Sequence, residues 1–349
     1  MRPPALRDHQ ASTGSAVWRH WLSACVRPGL TAGTAFTAGC AGPQSSLDPA
    51  GPDAQRVFDL FVVMMIGSAI IWLIVVGLSF YATRLRPAVQ HPKLTHSLII
   101  GGGAVAPFLV LSALLVYGLA PLPAMLALPP PGRPIIAISG EQWWWRVRYL
   151  MPDGRAFDTA NELRLPVNQR IEVQLQSADV IHSFWLPAVT GKMDAIPGRL
   201  NRIALEPTRL GTFRGACAEY CGRSHARMNF DAVVVTEEAF AAWVDQQLVT
   251  ATPPQDEFLI RGQTAFQSSG CGACHTIRGT PADGRVGPDL THVGGRLTIG
   301  AGMLPVQVGE LQRWIGLTER VKPGVHMPSF NMLPPENVRA IATYLVSLR

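Results

Sequence analysis

Within Cys217-Ala218-Glu219-Tyr220-Cys221-Gly222-Arg223-Ser224-His225-Ala226-Arg227-Met228, two thiols, an imidazole and a thioether fall in one short segment. Thiolates and thioethers are soft ligands, and imidazole suits copper. Two cysteines four residues apart, with Gly222 easing the turn after the second, can set both sulfurs on one side of a loop. A second imidazole stands upstream in His182-Ser183-Phe184-Trp185-Leu186-Pro187. Two Cys, two His and one Met exceed what one copper needs, and a pair of coppers bridged by both sulfurs would use them all. Two other chemistries would use fewer. A structural zinc takes Cys and His, but has no use for Met228, and the spacing is not that of a zinc finger. A Cys217–Cys221 disulfide in an oxidising compartment would leave His225 and Met228 without a role.

A second cluster follows in Cys271-Gly272-Ala273-Cys274-His275, the C-x-x-C-H attachment sequence of c-type haem. The two thiols would add to the haem vinyl groups, and His275 would become the proximal iron ligand. A thioredoxin-like reading of the pair needs a βαβ pattern, and none surrounds it. Met303, Met327 and Met332 are the candidates for a distal ligand, and a Met/His pair raises the potential of such a haem.

These clusters must be positioned by quite different elements. The chain has 349 residues, room for two or three domains, with 48% hydrophobic and only 15% charged residues. That balance favours a membrane protein. The formal charge of +6 is not gathered into a dense basic run, which excludes a nucleic-acid partner. Leu60 to Tyr81 is 22 residues without a charge, enough to cross a hydrocarbon core of about 30 Å. A second uncharged run extends from Leu98 to about Leu119, with Pro107 expected to kink it. Arg84, Arg86 and Lys93 lie between the runs, so the positive-inside rule puts that loop in the cytoplasm and everything after Pro129 outside.

The domain division expected is a targeting segment over 1–40, an exposed lead-in over 41–56, a transmembrane hairpin over 57–128, and a β unit over 129–248. A linker over 249–256 and a helical unit over 257–349 complete it. In the first segment Arg19, His20 and Arg27 precede a weakly apolar run, and Thr37-Ala38-Gly39-Cys40 resembles a bacterial lipoprotein cleavage box that would leave Cys40 lipidated. Beyond the stiff Pro129-Pro130-Pro131-Gly132 joint come short β-runs such as Ile135–Ser139, Trp143–Tyr149, Ile171–Ser177, Leu200–Leu205 and Asp231–Thr236. Many short strands separated by turns imply a β-sandwich or Greek-key barrel. Glu237–Leu248 reads as a closing helix capped by Thr236. Thr252-Pro253-Pro254 marks the linker, and helices over Phe258–Gln267 and Pro335–Leu348 frame the last unit.

The string C-A-E-Y-C-G-x-x-H-x-x-M, the upstream H-S-F-W-x-P, Gly191-Lys192-Met193-Asp194-Ala195-Ile196-Pro197-Gly198-Arg199 and the run Trp143 to Trp145 together resemble subunit II of cytochrome c oxidase, the copper A subunit. The resemblance covers about Pro52 to Leu248. Glu257 to Arg349 resembles a small class I cytochrome c. The first resemblance implies a cupredoxin fold with His182, Cys217, Cys221, His225 and Met228 holding dinuclear copper A. Glu219 would give its backbone carbonyl to copper and its carboxylate to a magnesium ion at the border with the catalytic subunit. Trp143 would lie over the copper at the surface where electrons come in. The second resemblance selects Met327, in Met327-Pro328-Ser329-Phe330, as distal ligand, and gives the carbonyl of Pro288 the proximal imidazole's hydrogen bond.

The function implied is electron transfer in a haem–copper terminal oxidase. Haem c passes electrons through copper A to the haem of subunit I, where oxygen is reduced to water with proton pumping. The partners implied are subunit I, other oxidase subunits, and an upstream cytochrome or quinol–cytochrome c reductase. The location implied is a bacterial plasma membrane, with both soluble domains on its outer face. A quinol oxidase subunit would have lost the copper ligands. A nitric oxide reductase with a copper A subunit differs in a substrate bound elsewhere, and purification without a haem–copper partner would mark a free-standing carrier. Between Arg133 and Thr250 thirteen Lys and Arg face thirteen Asp and Glu. No acidic excess is present to steer a basic donor, which suits a tethered one. Many such subunits also carry a glutamate near the start of the second membrane helix. Here Leu94 to Ala106 has no carboxylate and only His96 to titrate.

Overall fold

The computed structural model describes residues 40–84 and 92–349. The expected targeting sequence up to Gly39, and Arg86 in the short loop, lie outside the described residues.

Two long apolar helical segments come first, Pro52–Arg84 and Thr95–Leu126. The first is helix α1 (Pro52–Arg84), with Asp53 in its first turn and Arg84 in its last, each matched to the charge of its helix end. The second is built from α2 (Pro92–Ser97), a π-helical stretch (Leu98–Val105), α3 (Ala106–Leu119) and α4 (Leu122–Leu126). The disturbance expected at Pro107 takes the form of that π-helical stretch, which closes with the Ala106 N–H donating to the Gly101 carbonyl. Proline cannot return a hydrogen bond to the preceding turn, so the turn widens ahead of it. The large apolar side chains of both segments, such as Ile70, Trp72, Phe108 and Val116, are exposed, as a face meant for lipid requires.

Ten strands form the middle of the chain: β1 (Ile135–Glu141), β2 (Trp144–Leu150), β3 (Ala156–Ala160), β4 (Glu162–Pro166), β5 (Ile171–Ser177), β6 (His182–Trp185), β7 (Lys192–Ala195), β8 (Asn201–Leu205), β9 (Gly211–Cys217) and β10 (Asn229–Val235). They make two five-stranded sheets, ordered β3-β2-β1-β5-β8 and β4-β10-β9-β6-β7. The β1–β5 and β4–β10 pairs are parallel and the others antiparallel, the mixed pairing that sheet-to-sheet crossovers produce. Alternate residues of β1, β2 and β5 are buried. Between the sheets Phe184 stacks on Phe230 at 4.5 Å, and Trp145 meets both edge-on. Helix α5 (Glu237–Leu248) closes the unit. The Thr236 hydroxyl accepts from the Ala239 N–H as the expected cap, and Trp243 packs on Tyr149.

The segment before α1 is not wholly the exposed lead-in expected from its Pro, Ser and Gly content. Ala50 is 1% exposed and belongs to the sandwich core. Its N–H donates to the Ala188 carbonyl, and its own carbonyl accepts from Thr208. Small residues here let the backbone lie directly on the sandwich. At the same junction Arg170 donates to the carbonyls of Ala124, Met125 and Ala127 and pairs with Glu206, tying the hairpin's exit to β5.

The last unit contains α6 (Glu257–Ser268), a short hairpin of β11 (Thr298–Ile299) and β12 (Leu304–Pro305), α7 (Val308–Gly316), α8 (Thr318–Val321) and α9 (Pro335–Ser347). Helices α6 and α9 cross with Phe266 against Tyr344. The expected linker is drawn into this unit: Ala251 is buried in its core and bonds the Arg278 carbonyl.

Candidate metal centres

His182 opens β6 and Cys217 ends β9, and these strands are antiparallel neighbours. Cys217 Sγ lies 3.8 Å from Cys221 Sγ and 3.9 Å from His182 Nδ1. Cys221 Sγ lies 3.5 Å from His225 Nδ1 and 3.9 Å from Met228 Sδ. The Glu219 carbonyl is 3.2 Å from Cys217 Sγ. All six residues named from the sequence therefore meet around one point. The imidazole of His182 and the thioether of Met228 are fully buried, and both thiols nearly so. Gly140 makes room for the first imidazole, since a Cβ there would come within 2.6 Å of the His182 ring.

The donor set fits a soft dinuclear group. The two sulfurs are unbonded to each other, and each has a ring nitrogen beside it. Met228 sulfur, useless to zinc, is fully buried against Cys221. Asp179 fixes the orientation of His182: its carboxylate meets Nε2 at 2.8 Å, leaving Nδ1 toward Cys217. The charges are arranged to match. The contact between the two sulfurs holds Cys217 down to about 3 despite burial, while Cys221 is pushed far up by the same contact and by burial. Burial opposes the charging of His182, yet its bonds to Cys217 and Asp179 raise it above the usual imidazole range.

Asp179 was not legible as a functional residue in the sequence, although its position three residues before His182 was a usable signal. Gln142 is another such residue: its side-chain amide donates to the Cys221 carbonyl at 2.7 Å, beside the Trp143 indole N–H, which donates to the same oxygen at 2.9 Å. Glu219 and Tyr220, by contrast, project outward, Tyr220 being 76% exposed.

In the C-terminal unit Cys271 is half-buried, Cys274 exposed, and His275 follows them. The His275 Nδ1 and the Pro288 carbonyl are 2.9 Å apart, the pairing expected, so that Nδ1–H donates and Nε2 is left for a metal. Burial lowers His275 below the usual imidazole range, which keeps it neutral and able to ligate, and burial pushes the Cys271 thiol up to about 11. Met327 and Met303 are both half-buried against this unit's core, whereas Met332 is 72% exposed. The unit thus offers two covalent anchors, an oriented imidazole and thioethers, which fit haem c.

Trp143 is 6% exposed, not an open surface. The C-terminal unit covers it. A Cβ on Gly324, three residues before Met327, would come within 2.9 Å of the indole ring. Around this contact Ser224 donates to the Pro323 carbonyl at 2.7 Å and Arg227 to the Val321 carbonyl at 2.7 Å. Arg214 donates to the Gly302 carbonyl, and Arg146 to the carbonyls of Arg285 and Val286. Lys322 is 1% exposed, its ammonium bonding the Trp143 carbonyl at 2.5 Å and the Gly300 carbonyl at 2.9 Å. Burial lowers its pKa to about 7.

Comparison with known proteins places both units in families. The family model described as cytochrome c oxidase subunit II, periplasmic domain, matches residues 149–237, and that for cytochrome c matches residues 259–349. Cytochrome c oxidase subunit 2 of Alkalihalophilus pseudofirmus is 31% identical over 330 residues, covering 90% of this chain and 94% of the relative. The chain belongs to the cytochrome c oxidase subunit 2 family. Cytochrome c oxidase subunit 2 of Bacillus sp. strain PS3 is 32% identical over 225 residues, 62% of each chain. The crystal structure of the periplasmic domain of subunit II of cytochrome oxidase from Bradyrhizobium japonicum shares 38% identity, covering 34% of this chain and 96% of that one, with a TM-score of 0.32. This subunit II therefore has an apolar helical pair, a cupredoxin-like β unit and a helical cytochrome c domain. It is an electron-transfer component of a haem–copper oxidase, and its two soluble families imply copper A and haem c.

Proposed function

We propose that His182, Cys217, Cys221, His225 and Met228, with the Glu219 carbonyl, hold the dinuclear copper, and that Cys271, Cys274, His275 and Met327 hold the haem. When bound, these groups supply one-electron storage between an upstream cytochrome or quinol–cytochrome c reductase and the haem of subunit I. The chain's own residues do the positioning. Asp179 turns His182 toward the sulfurs, Pro288 turns His275, and Trp143 bridges the Met327 loop and the Cys221 backbone. The observation that carries the reading is this last one: the indole bonds the carbonyl of one ligand residue while Gly324 of the other ligand's loop lies against its ring. Trp143 then serves as an internal relay, not as a docking site for a soluble donor.

The outward Glu219 carboxylate is assigned to a magnesium ion at the subunit I border. The division into hairpin (57–128), copper domain (129–248), linker (249–256) and cytochrome domain (257–349) is part of the same reading. So are the placement of both soluble domains on the outer face and lipidation at Cys40. Purified complex tests the assignment. Two coppers per chain with a mixed-valence paramagnetic resonance signal are expected, and one copper or a zinc would refute it. Met327→Ala should abolish the sulfur-to-iron band of the oxidised haem. Loss of that band in Met303→Ala or Met332→Ala instead would move the ligand.

A further inference from the structure

Lys322 is a fully buried ammonium side chain in a region where burial needs an explanation. Moving an ammonium out of water costs several kcal/mol unless it is paired, and neither of its two hydrogen-bond partners is a carboxylate. An apolar side chain of the same length would fill the space more cheaply. What the lysine does that an apolar residue cannot is join three loops. Its own loop leads through Pro323 and Gly324 to Met327. The Gly300 carbonyl belongs to the turn between β11 and β12, whose next carbonyls, those of Ala301 and Gly302, accept from the Asn229 N–H and from Arg214. The Trp143 carbonyl belongs to the residue whose indole is bonded to the Cys221 carbonyl.

We propose that Lys322 is a positioning residue for electron transfer between the two redox sites. Its Nζ seats the Met327 loop and the β11–β12 turn together on the backbone of Trp143. This fixes the separation of the haem edge from the copper ligand loop. The inference rests on the reading that electrons pass from haem c to copper within this chain. Both carbonyls can be satisfied by two N–H donors, which the side chain keeps whether it is charged or neutral. The seat therefore survives the lowering of its pKa. The neighbouring hydrogen bonds each hold one of these loops, and only Lys322 bonds the Trp143 carbonyl and the β11–β12 turn from the Met327 loop. Ser224 and Arg227 bind carbonyls of the Met327 loop but reach neither Trp143 nor the β11–β12 turn.

The test uses the intact oxidase complex and rapid photoreduction of haem c, following haem reoxidation against the near-infrared copper band. Lys322→Met should retain both chromophores and their equilibrium spectra while transfer slows severalfold. Lys322→Arg, which keeps donors at this site, should recover most of the rate. Unchanged transfer in Lys322→Met would overturn the proposal. So would equal slowing in Lys322→Arg and Lys322→Met, because the arginine keeps N–H donors at this site and the proposal rests on them. If Lys322→Met fails to assemble, Lys322→Gln decides. It keeps two amide donors on a shorter stem, and wild-type rates in it would exclude a role for the Nζ position. Should the wild-type complex itself show no transfer from haem to copper, the electron-path reading fails, independently of any Lys322 variant.

Discussion

The copper loop has two sides with opposite surroundings. On one, Ser224 is buried and Arg227 half-buried, both bonded to backbone carbonyls of the cytochrome domain, and Trp143 behind them is covered. On the other, Glu219 and Tyr220 are exposed. The covered side has its partner on the same chain, where attachment makes the local concentration high without any steering field. The open side leaves Glu219 and Tyr220 free for contact, and membership of the subunit 2 family implies other oxidase subunits. On the proposed electron path, a tethered donor would also be a seated one.

The largest effect should come from breaking both sides together. Cys217 is the one donor in reach of His182, Cys221 and the Glu219 carbonyl. Cys217→Ser should remove most of the copper and lower turnover by more than about 100-fold, beyond the loss typical of residues that merely orient ligands. Copper analysis and oxygen consumption on the same preparation check this. Retained copper would mean the metal is held elsewhere.

Next in size is a change confined to the covered side. Gly324 has φ +84° and lies against Trp143, so Gly324→Ala strains the backbone and drives a methyl group into the indole. Transfer from haem to copper should fall severalfold, with copper content unchanged and the Tyr220 side untouched. Flash photoreduction measures it. An unaltered rate would show that the two domains need no close contact at this ring.

The fold was legible where residue type and period coincide. Leu60–Tyr81 lacks charge over a membrane's width, and Arg170–Gln176 alternates as β5 does. Strands β3, β4, β6, β7 and β9 were not among the runs named from the sequence, because their cues are weak. Glu162–Pro166 carries two charges and ends in proline, and Gly211–Cys217 holds two glycines, one giving the Phe230 ring its space. The ligands were legible because soft donors are rare and their spacing is short. Asp179, Gln142 and Lys322 were not, because each acts through a partner 3 to 179 residues away. The seat of the cytochrome domain was least legible of all. Its contacts are chiefly side-chain donors on backbone carbonyls, and carbonyls have no residue-type signature.

That same chemistry makes the covered side insensitive to salt. The cross-domain ion pair of Arg223 with Glu319 is exposed and 3.8 Å long, whereas the guanidinium and ammonium contacts end on neutral carbonyls. Raising ionic strength from about 0.01 M to about 1 M shortens the Debye length from roughly 30 Å to roughly 3 Å. Internal transfer should change by less than about twofold across that range. A steep fall would mean the docking depends on long-range charge after all, and stopped-flow against an external donor on the same samples would separate that step from steering of the donor.

The smallest effect is expected farthest from both redox sites. The membrane hairpin has no carboxylate between Leu94 and Ala106, where the family resemblance leads one to expect a glutamate. His96 is the one titratable side chain there, on the exposed surface of α2 next to the basic Lys93 turn. Intramembrane ionisable groups are costly and are usually kept for function, so its position near a helix end, where the cost is small, argues for a boundary residue. The expectation is that the proton entry group lies in subunit I and that this subunit contributes no essential carrier. His96→Ala should leave turnover within about twofold, equivalent to roughly 0.4 kcal/mol on the limiting barrier. Oxygen consumption and proton release are to be measured together at equal copper and haem content. A tenfold loss of both would show that the imidazole had taken over the missing carboxylate's work.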